Sequence, residues 1–197
     1  QHDNITVFEN TLSAFDHALE TAGIWGIELD FRWTKDLHPV VAHDPDLQRL
    51  FGSNLRIAET TLAELKQHCP LVPTLEEVLL RYGGKLHLMV EAKEEHYPQP
   101  EKQNMILKEL FAPLKPREDF HLLSLDPEML VLVKFVDTSA KIPVADFNAK
   151  TLSKISLNEK YAGLGGHYLL LHKKIVKQHL DCGQKIGVGY PKSKNNL

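Results

Sequence analysis

The chain has few cysteines, no long apolar run and no excess of either charge. Its 197 residues include only two cysteines, Cys69 and Cys182, which lie far apart and match no metal-binding or redox spacing. Free thiols are the favoured interpretation, and a single disulfide is the alternative. No apolar stretch approaches the ~18 residues of a membrane-spanning helix, and no signal peptide is visible.

The charge balance gives no indication of a nucleic-acid partner. There are 23 basic and 26 acidic residues, a formal net charge of -3, whereas nucleic-acid-binding domains usually carry a basic excess. A charged fraction of 25% and a hydrophobic fraction of 43% are ordinary for a globular protein. We therefore expect residues 1–197 to form one domain with a substantial core, and we expect it in the cytoplasm.

Residues 26–43 carry the clearest chemical signal. Side chains of a strand alternate between its two faces, so Glu28 and Asp30 project from one face and their apolar neighbours from the other. Two carboxylates on one face repel each other unless a cation or a proton lies between them. A cation that prefers oxygen ligands is the natural companion of such a pair. The alternative is a solvated edge strand that carries two acids.

The second half of this stretch predicts a turn at residues 35–38 and a short buried strand at residues 39–42. That strand delivers His43 at its carboxyl end, directly before Asp44. A lone histidine is more often a satisfied core residue, but one beside an acid at a strand end is a candidate for proton transfer. Asp44 could hold the imidazole ring or cap the following turn, and both interpretations stay open.

The rest of the chain alternates between predicted helices and strands. Capping-box patterns at residues 61–64 and 74–77 mark two helix starts, and residues 45–60 read as a polar loop. Further helices are predicted at 11–22, 104–111, from 127 and from about 170, and further strands at 86–90, 120–125, 141–147, from 162 and at 185–190. This alternation predicts an α/β protein with a parallel sheet, either a closed barrel or an open doubly wound sheet.

A series of short motifs resembles the glycerophosphodiester phosphodiesterase family, within the phospholipase C-like phosphodiesterase superfamily. The motifs occur in the family's order: Glu9-Asn10-Thr11, Ile27-Glu28-Leu29-Asp30, Thr34-Lys35-Asp36, Val40-Val41-Ala42-His43-Asp44 with Leu47 and Arg49, Pro73-Thr74-Leu75-Glu76-Glu77-Val78, Val90-Glu91-Ala92-Lys93 and Ser124-Leu125-Asp126-Pro127. The resemblance implies a (β/α)8 TIM-type barrel, in which functional groups lie at the carboxyl ends of the strands.

The resemblance also implies roles for individual side chains. It places metal ligands at Glu28, Asp30 and Glu91, a catalytic acid/base at His43 and a phosphate-facing cation at Lys93. Three carboxylates without a cysteine suit Mg²⁺ or Ca²⁺ better than Zn²⁺. For Lys93 the alternative is a plain salt bridge with Glu91, which lies on the same strand face.

The sequence departs from the family pattern near both termini. The family's His-Arg-Gly motif would fall at or before Gln1; His2 is close, but Asp3 and Asn4 follow it. Residues 187–191 stand where the family carries Trp-Thr-Val-Asn. The resemblance therefore implies a barrel that lacks its first strand and final helix, with a second catalytic histidine upstream of Gln1.

The implied reaction is metal-dependent hydrolysis of a glycerophosphodiester to sn-glycerol 3-phosphate and an alcohol. His43 would act as the general acid for the leaving alcohol. One alternative is a binding-only member without turnover. Another is a phospholipase D-like enzyme acting on phospholipids, because phospholipase D toxins share the Glu-x-Asp and His-Asp patterns; their usual disulfide has no counterpart here.

Overall fold

The structure, a computed structural model, describes residues 4–189. Two positions named above, His2 near the expected His-Arg-Gly motif and Tyr190 at the end of the last predicted strand, lie outside the described residues. The strands are β1 Gly26–Trp33, β2 Pro39–Val41, β3 Asp46–Leu47, β4 Ser53–Arg56, β5 His87–Ala92, β6 Phe120–Ser124, β7 Lys141–Ala145, β8 Gly163–His167 and β9 Lys185–Gly189.

Helices follow most of the strands of the main sheet. They are α1 Leu12–Glu20, α2 Gln48–Phe51, α3 Leu62–His68, α4 Leu75–Tyr82, α5 Pro100–Phe111, α6 Pro127–Leu132, α7 Ala149–Asn158 and α8 Lys173–Asp181, with 3-10 turns at Ile57–Glu59 and Thr138–Ala140. Among the described residues no helix combines the length and the apolar character needed to cross a membrane.

The main sheet has seven strands in the order β2-β1-β5-β6-β7-β8-β9. From β1 to β9 all neighbouring strands are parallel. Each new parallel strand joins the same side of the sheet as its predecessor, whereas a doubly wound sheet reverses its order at a switch point. The predicted α/β class is confirmed, and the winding is that of a (β/α)8 TIM-type barrel, which excludes the doubly wound alternative.

One strand of the sheet runs against the others. β2 pairs antiparallel with the end of β1, with Phe31 opposite Val41 and Trp33 opposite Pro39. The connection is too short for a crossover, so residues 34–38 form a hairpin turn, in which the backbone N–H of Thr34 donates to the carbonyl of His38 at 3.0 Å. β2 therefore carries the chain back along β1 and returns His43 to the level of Asp30.

Residues 45–60 are not the loop that their polar composition predicts. They form the β3–β4 hairpin, with α2 inside it and a 3-10 turn after it. Leu47 and Ile57 are buried with Val40, Leu65 and Val72 in a small second core. These few apolar anchors outweigh the glycine, serine and asparagine that suggested a loop, because burying one large aliphatic side chain contributes about 1.5–3 kcal/mol.

The main core lies between the sheet and its helices. Phe31 and Leu88 from the sheet pack with Phe15, Tyr82 and Leu107 from the helices. The Tyr82 hydroxyl donates to the backbone carbonyl of Leu12 at 2.8 Å and also bonds to the Asp16 carboxylate at 2.7 Å. This buried polar contact fixes α4 against α1, the helix that precedes β1.

Local signals set the helix starts. The predicted capping boxes are present: Thr61 and Thr74 each accept from the backbone N–H three residues on, and Glu64 and Glu77 accept in return from the backbone N–H of the two threonines. Both cysteines are free thiols, so the favoured interpretation of the cysteines is confirmed.

Candidate active site

Three carboxylates meet at the carboxyl ends of β1 and β5. Residues opposite each other in neighbouring parallel strands share a face, and Asp30 is opposite Glu91. Glu28 lies two residues earlier on the same face of β1. Each of the three offers an oxygen within 4.8 Å of the others, and no other group of three possible metal ligands occurs in residues 4–189. The hard, anionic oxygens of this set fit a divalent cation such as Mg²⁺ or Ca²⁺.

The three acids repel one another when they are ionised, because all three then carry negative charge. Asp30 and Glu91 are buried, while solvent reaches part of the Glu28 side chain. Burial, then the charges of Asp30 and Glu91, raise the pKa of Glu28 to about 8. Burial and the Asp30 charge also raise the pKa of Glu91 above its ordinary value. Repulsion from the two neighbouring carboxylates thus adds to the effect of burial on the pKa of Glu28.

Lys93 supplies a positive charge to this cluster. Its ammonium lies 2.6 Å from Glu91 Oε1 and 3.3 Å from Asp30 Oδ1. Burial lowers the pKa of the amine, but the two carboxylates outweigh that effect and raise it. The salt bridge considered from the sequence therefore exists and includes Asp30, whereas contact of Lys93 with a phosphate stays a prediction.

Asn10 orients Asp30. The sequence did not predict Asn10 as a residue of the site. The Asn10 side chain donates to Asp30 Oδ2 at 2.8 Å and accepts from the Asp30 backbone N–H at 3.2 Å. Its backbone is left-handed, with φ 55°, a conformation that asparagine tolerates better than most residues. The Glu9-Asn10-Thr11 motif was the available signal, but it indicated only a helix start and a resemblance.

His43 follows β2 and lies near the acids of β1. Its Nδ1 lies 2.7 Å from Asp44 Oδ1, and the other oxygen of Asp44 accepts from Arg49 Nε at 2.5 Å. Arg49 also pairs with Glu9, the neighbour of Asn10. Burial opposes the ionisation of Asp44, but the hydrogen bonds from Arg49 and His43 outweigh it and lower its pKa. Asp44 therefore holds the ring, one of the two interpretations left open by the sequence.

The backbone of His43 is held from the opposite side. The buried Arg32 donates from Nε to the His43 carbonyl at 2.9 Å and pairs through Nη1 with Glu95 at 3.4 Å. Glu95 also accepts from the backbone N–H of Trp33 at 2.8 Å. Burial raises the pKa of Glu95 to about 7, although these donors oppose the shift.

A cavity of about 530 Å³ joins the acids to the histidine. Glu28, Asp30 and His43 line it together, and Arg49 closes one side. The cavity also has an apolar lining, from Ala14, Phe15, Ala18, Ile24 and Ile27. A ligand in this cavity can thus meet carboxylates, an imidazole and an apolar surface at once.

Comparison with known proteins gives a consistent family match. The model of the glycerophosphoryl diester phosphodiesterase family matches residues 2–176. A glycerophosphodiester phosphodiesterase of Caldanaerobacter subterraneus is 37% identical over 94 residues, which cover 42% of this chain and 38% of that protein. The aligned part of the chain spans only about two fifths of the first curated relatives, namely 39%, 38% and 42% of their lengths.

Solved structures match over most of the chain. The glycerophosphodiester phosphodiesterase of Thermotoga maritima is 26% identical with a TM-score of 0.77, and the match covers 96% of this chain and 82% of that one. A phosphodiesterase of Oleispira antarctica, solved in complex with the product sn-glycerol-3-phosphate, is 23% identical with a TM-score of 0.78 and coverages of 95% and 81%. The latter likeness is one of fold.

Proposed function

The chain belongs to the glycerophosphoryl diester phosphodiesterase family, and from this premise we propose that it hydrolyses glycerophosphodiesters to sn-glycerol 3-phosphate and an alcohol. The observation that carries the proposal is that Glu28, Asp30 and His43 line one cavity. A carboxylate oxygen of Glu91 lies close enough to those of the two acids for all three to bind one metal ion. Family relatives named for this activity support it. That residues 1–197 form one domain and that it acts in the cytoplasm stay predictions from the sequence.

We assign the divalent-ion site to Glu28, Asp30 and Glu91. The fit rests on the donor set, because three close carboxylate oxygens need a cation and offer no soft ligand. When bound, Mg²⁺ or Ca²⁺ supplies positive charge that offsets the charge of a phosphodiester. Asn10 orients Asp30, so the ligand geometry is supported by a contact outside the set.

The other side chains neutralise charge and transfer a proton. A phosphodiester is anionic and repels a nucleophile, so positive charge near its non-bridging oxygens lowers the barrier. We give that role to Lys93, a compact cation already at the acids. Since Asp44 engages Nδ1 of His43, the acid would be the imidazolium form, which carries a second proton on Nε2. Nε2 would donate that proton to the leaving alkoxide as its bond to phosphorus breaks, which leaves the ring neutral. The attacking oxygen belongs to water or to a substrate hydroxyl.

A coupled assay for glycerol 3-phosphate release tests the proposal. Glycerophosphocholine, glycerophosphoethanolamine and glycerophosphoglycerol are each incubated with the protein, with Mg²⁺, with Ca²⁺ or with a chelator. We expect release that needs one of the two ions and that is lost in Glu28→Ala and His43→Ala. Substrate binding in calorimetry without any release would instead support the binding-only alternative. A Glu28→Ala variant as active as the parent would remove the metal assignment.

The apolar wall of the cavity gives a second candidate some support. Phe15, Ile24 and Ile27 line the same cavity as Glu28 and Asp30, and an acyl chain bound there would remove apolar surface from water. An assay of choline release from lysophosphatidylcholine, under the same ion conditions, tests a phospholipase D-like activity on phospholipids. Choline release from this substrate but not from glycerophosphocholine would favour that activity over the first proposal.

A further inference from the structure

We propose that Arg32, fixed by Glu95, is a positioning residue for His43 and thereby for proton transfer to the leaving alcohol. The inference rests on the proposed function and deepens it, because it names a residue that prepares the general acid. Nothing in the sequence singled out Arg32, which lies between Phe31 and Trp33 on β1. Its partners come from two other segments of the chain, one after β2 and one after β5.

His43 is anchored through its backbone. Its side chain is 51% exposed, so core packing does not fix the imidazole. The backbone is fixed instead: the N–H of Ala42 donates to the Asp30 carbonyl at 3.0 Å, and Arg32 Nε donates to the His43 carbonyl at 2.9 Å. Both contacts end on β1, the strand that carries Glu28 and Asp30. The main chain of the proton donor is therefore tied to the strand that carries two of the acids.

Stability alone gives little reason for the buried pair of Arg32 and Glu95. The side chains of Arg32 and Glu95 are only 9% and 13% exposed. Removing two charges from water costs about as much free energy as their attraction returns. Apolar side chains of similar size would fill the same space. What they could not do is donate to the His43 carbonyl, because that contact needs an N–H group at this depth.

The ring and the main chain of His43 are held by different residues. Asp44 fixes the ring through Nδ1, and Arg32 fixes the main chain from which the ring projects. Glu95 holds the guanidinium through one oxygen and binds the backbone N–H of Trp33 through the other. A displacement of about 1 Å at a reacting group can reduce the rate about 100-fold. Loss of the backbone contact is therefore expected to act on the proton-transfer step.

The test uses substrates that differ in their need for an acid. A glycerophosphodiester with an alkyl alcohol needs protonation of its leaving oxygen, whereas one with p-nitrophenol does not. Arg32→Lys keeps a cation beside Glu95 and puts the Cε methylene where Arg32 Nε donates to the His43 carbonyl. We expect kcat to fall about 10-fold to 100-fold for the alkyl substrate and less than about 3-fold for the nitrophenyl substrate, with KM changed less than about 2-fold.

A matched control comes from another arginine–carboxylate pair. Arg81 pairs with Asp16 between α4 and α1, away from His43, so Arg81→Lys should leave both substrates unaffected. If Arg32→Lys fails to fold, the Arg32→Met/Glu95→Gln double variant removes both charges and keeps an acceptor for Trp33. Equal losses for the two substrates, or no loss, in a folded variant would overturn the positioning role.

A second readout does not depend on turnover. Nitrogen NMR of the His43 ring reports which ring nitrogen carries the proton. In the neutral ring of the parent we expect one dominant tautomer, protonated at Nδ1 toward Asp44, and in Arg32→Lys a mixture; Nε2 carries its proton in the cationic form that acts as the acid. Unchanged ring signals would overturn the inference. If the parent releases no glycerol 3-phosphate but the ring signals change as expected, the proposed function fails and the positioning of His43 by Arg32 stands.

Discussion

Asp44 lies between His43 and Arg49, and its two oxygens have different partners. One contacts the imidazole at 2.7 Å and the other accepts from Arg49 at 2.5 Å. In Asp44→Asn the amide can turn its NH₂ toward either partner, so the imidazole loses the charge that holds its tautomer. We expect kcat for glycerol 3-phosphate release to fall at least about 100-fold with little change in KM.

A nearby acid provides the control for this variant. Asp46 accepts from the backbone N–H of Gln48 and does not contact His43, so Asp46→Asn should change kcat by less than about 2-fold, as surface substitutions away from a site do. An Asp44→Asn enzyme as fast as the parent would show that the His43–Asp44 contact has no part in the reaction.

Asn10 affords a test of the ion site that needs no substrate. Its amide makes two hydrogen bonds to Asp30. Asn10→Gly keeps the left-handed backbone at low cost but removes both bonds. We expect the affinity for Mg²⁺ or Ca²⁺ in calorimetry to fall about 10-fold to 100-fold, the usual effect of losing a group that orients a ligand. The exposed Asn158 at the end of α7 gives the control, Asn158→Gly; equal affinities for parent and Asn10→Gly would contradict the prediction.

The sequence predicts individual site residues only where the signal is local. Glu28 and Asp30 follow from strand alternation, because their spacing fixes a common face. Glu91 could be named only through the resemblance, since its distance from β1 depends on the register of β1 and β5. Arg32 and Glu95 contact each other although they lie 63 residues apart in the sequence. No periodicity within either segment indicates that they meet.

At the scale of elements, the helix starts show how far local chemistry determines structure. The capping box at Thr74 satisfies backbone donors at the start of α4, and α4 contributes Tyr82 to the main core. Thr74→Ala removes the acceptor for the Glu77 backbone N–H, so the unfolding free energy should fall by about 1 kcal/mol. Urea denaturation measures this change.

Activity separates this effect from damage to the site. Because Thr74 contributes no contact to the acids or to His43, kcat of Thr74→Ala should stay within about 2-fold of the parent. Thr74→Ser keeps the hydroxyl and should restore most of the lost stability. A stability unchanged by Thr74→Ala would mean that the capping hydrogen bonds are replaced by water at no cost.

Two segments, the β1–β2 hairpin and residues 45–60, could not be predicted fully from local sequence. A short apolar run predicts a strand but not its direction, and only the brevity of residues 34–38 excludes a parallel crossover. In residues 45–60 the burial of Leu47 and Ile57 depends on Val40 and Leu65, which belong to other elements. Local composition therefore favoured a loop where long-range packing forms a hairpin and a helix.

At the scale of the whole molecule, the alternation of helices and strands was enough to predict a parallel sheet, but not its winding. Winding depends on which side of the sheet each strand joins, and this is set by the packing of helices such as α4 and α5 between β1, β5 and β6. The resemblance supplied the barrel from the sequence, and the strand order confirms it independently.

The sheet also contains a buried histidine pair that should make the whole fold sensitive to acid. His87 Nδ1 donates to the Glu118 carbonyl at 2.8 Å, and His87 Nε2 lies 2.7 Å from His121 Nδ1. One nitrogen of the contact between the rings must accept, so the two rings cannot both be cationic. Burial, then the proximity of His87, lowers the pKa of His121 to about 4, and burial lowers the pKa of His87 as well.

The direction of the stability change follows from these depressed pKa values. In the unfolded chain both rings take up protons below about pH 6.5, whereas the folded pair stays neutral. The unfolded state therefore binds more protons below about pH 6.5, so the free energy of unfolding should fall with acidification, by up to about 1.4 kcal/mol per pH unit for His121 and in the same direction for His87. Urea denaturation at intervals between pH 7 and 5 measures the slope.

Replacing one ring isolates the contribution of the pair. In His121→Asn the side-chain NH₂ can still donate to His87 Nε2, but the group does not titrate, so the slope should be smaller than in the parent. Asn158 is exposed and does not titrate, so Asn158→Gly should leave the slope unchanged. Identical slopes in the parent and His121→Asn would show that other groups control acid unfolding, because a ring that stays neutral only in the folded state must contribute to the proton difference.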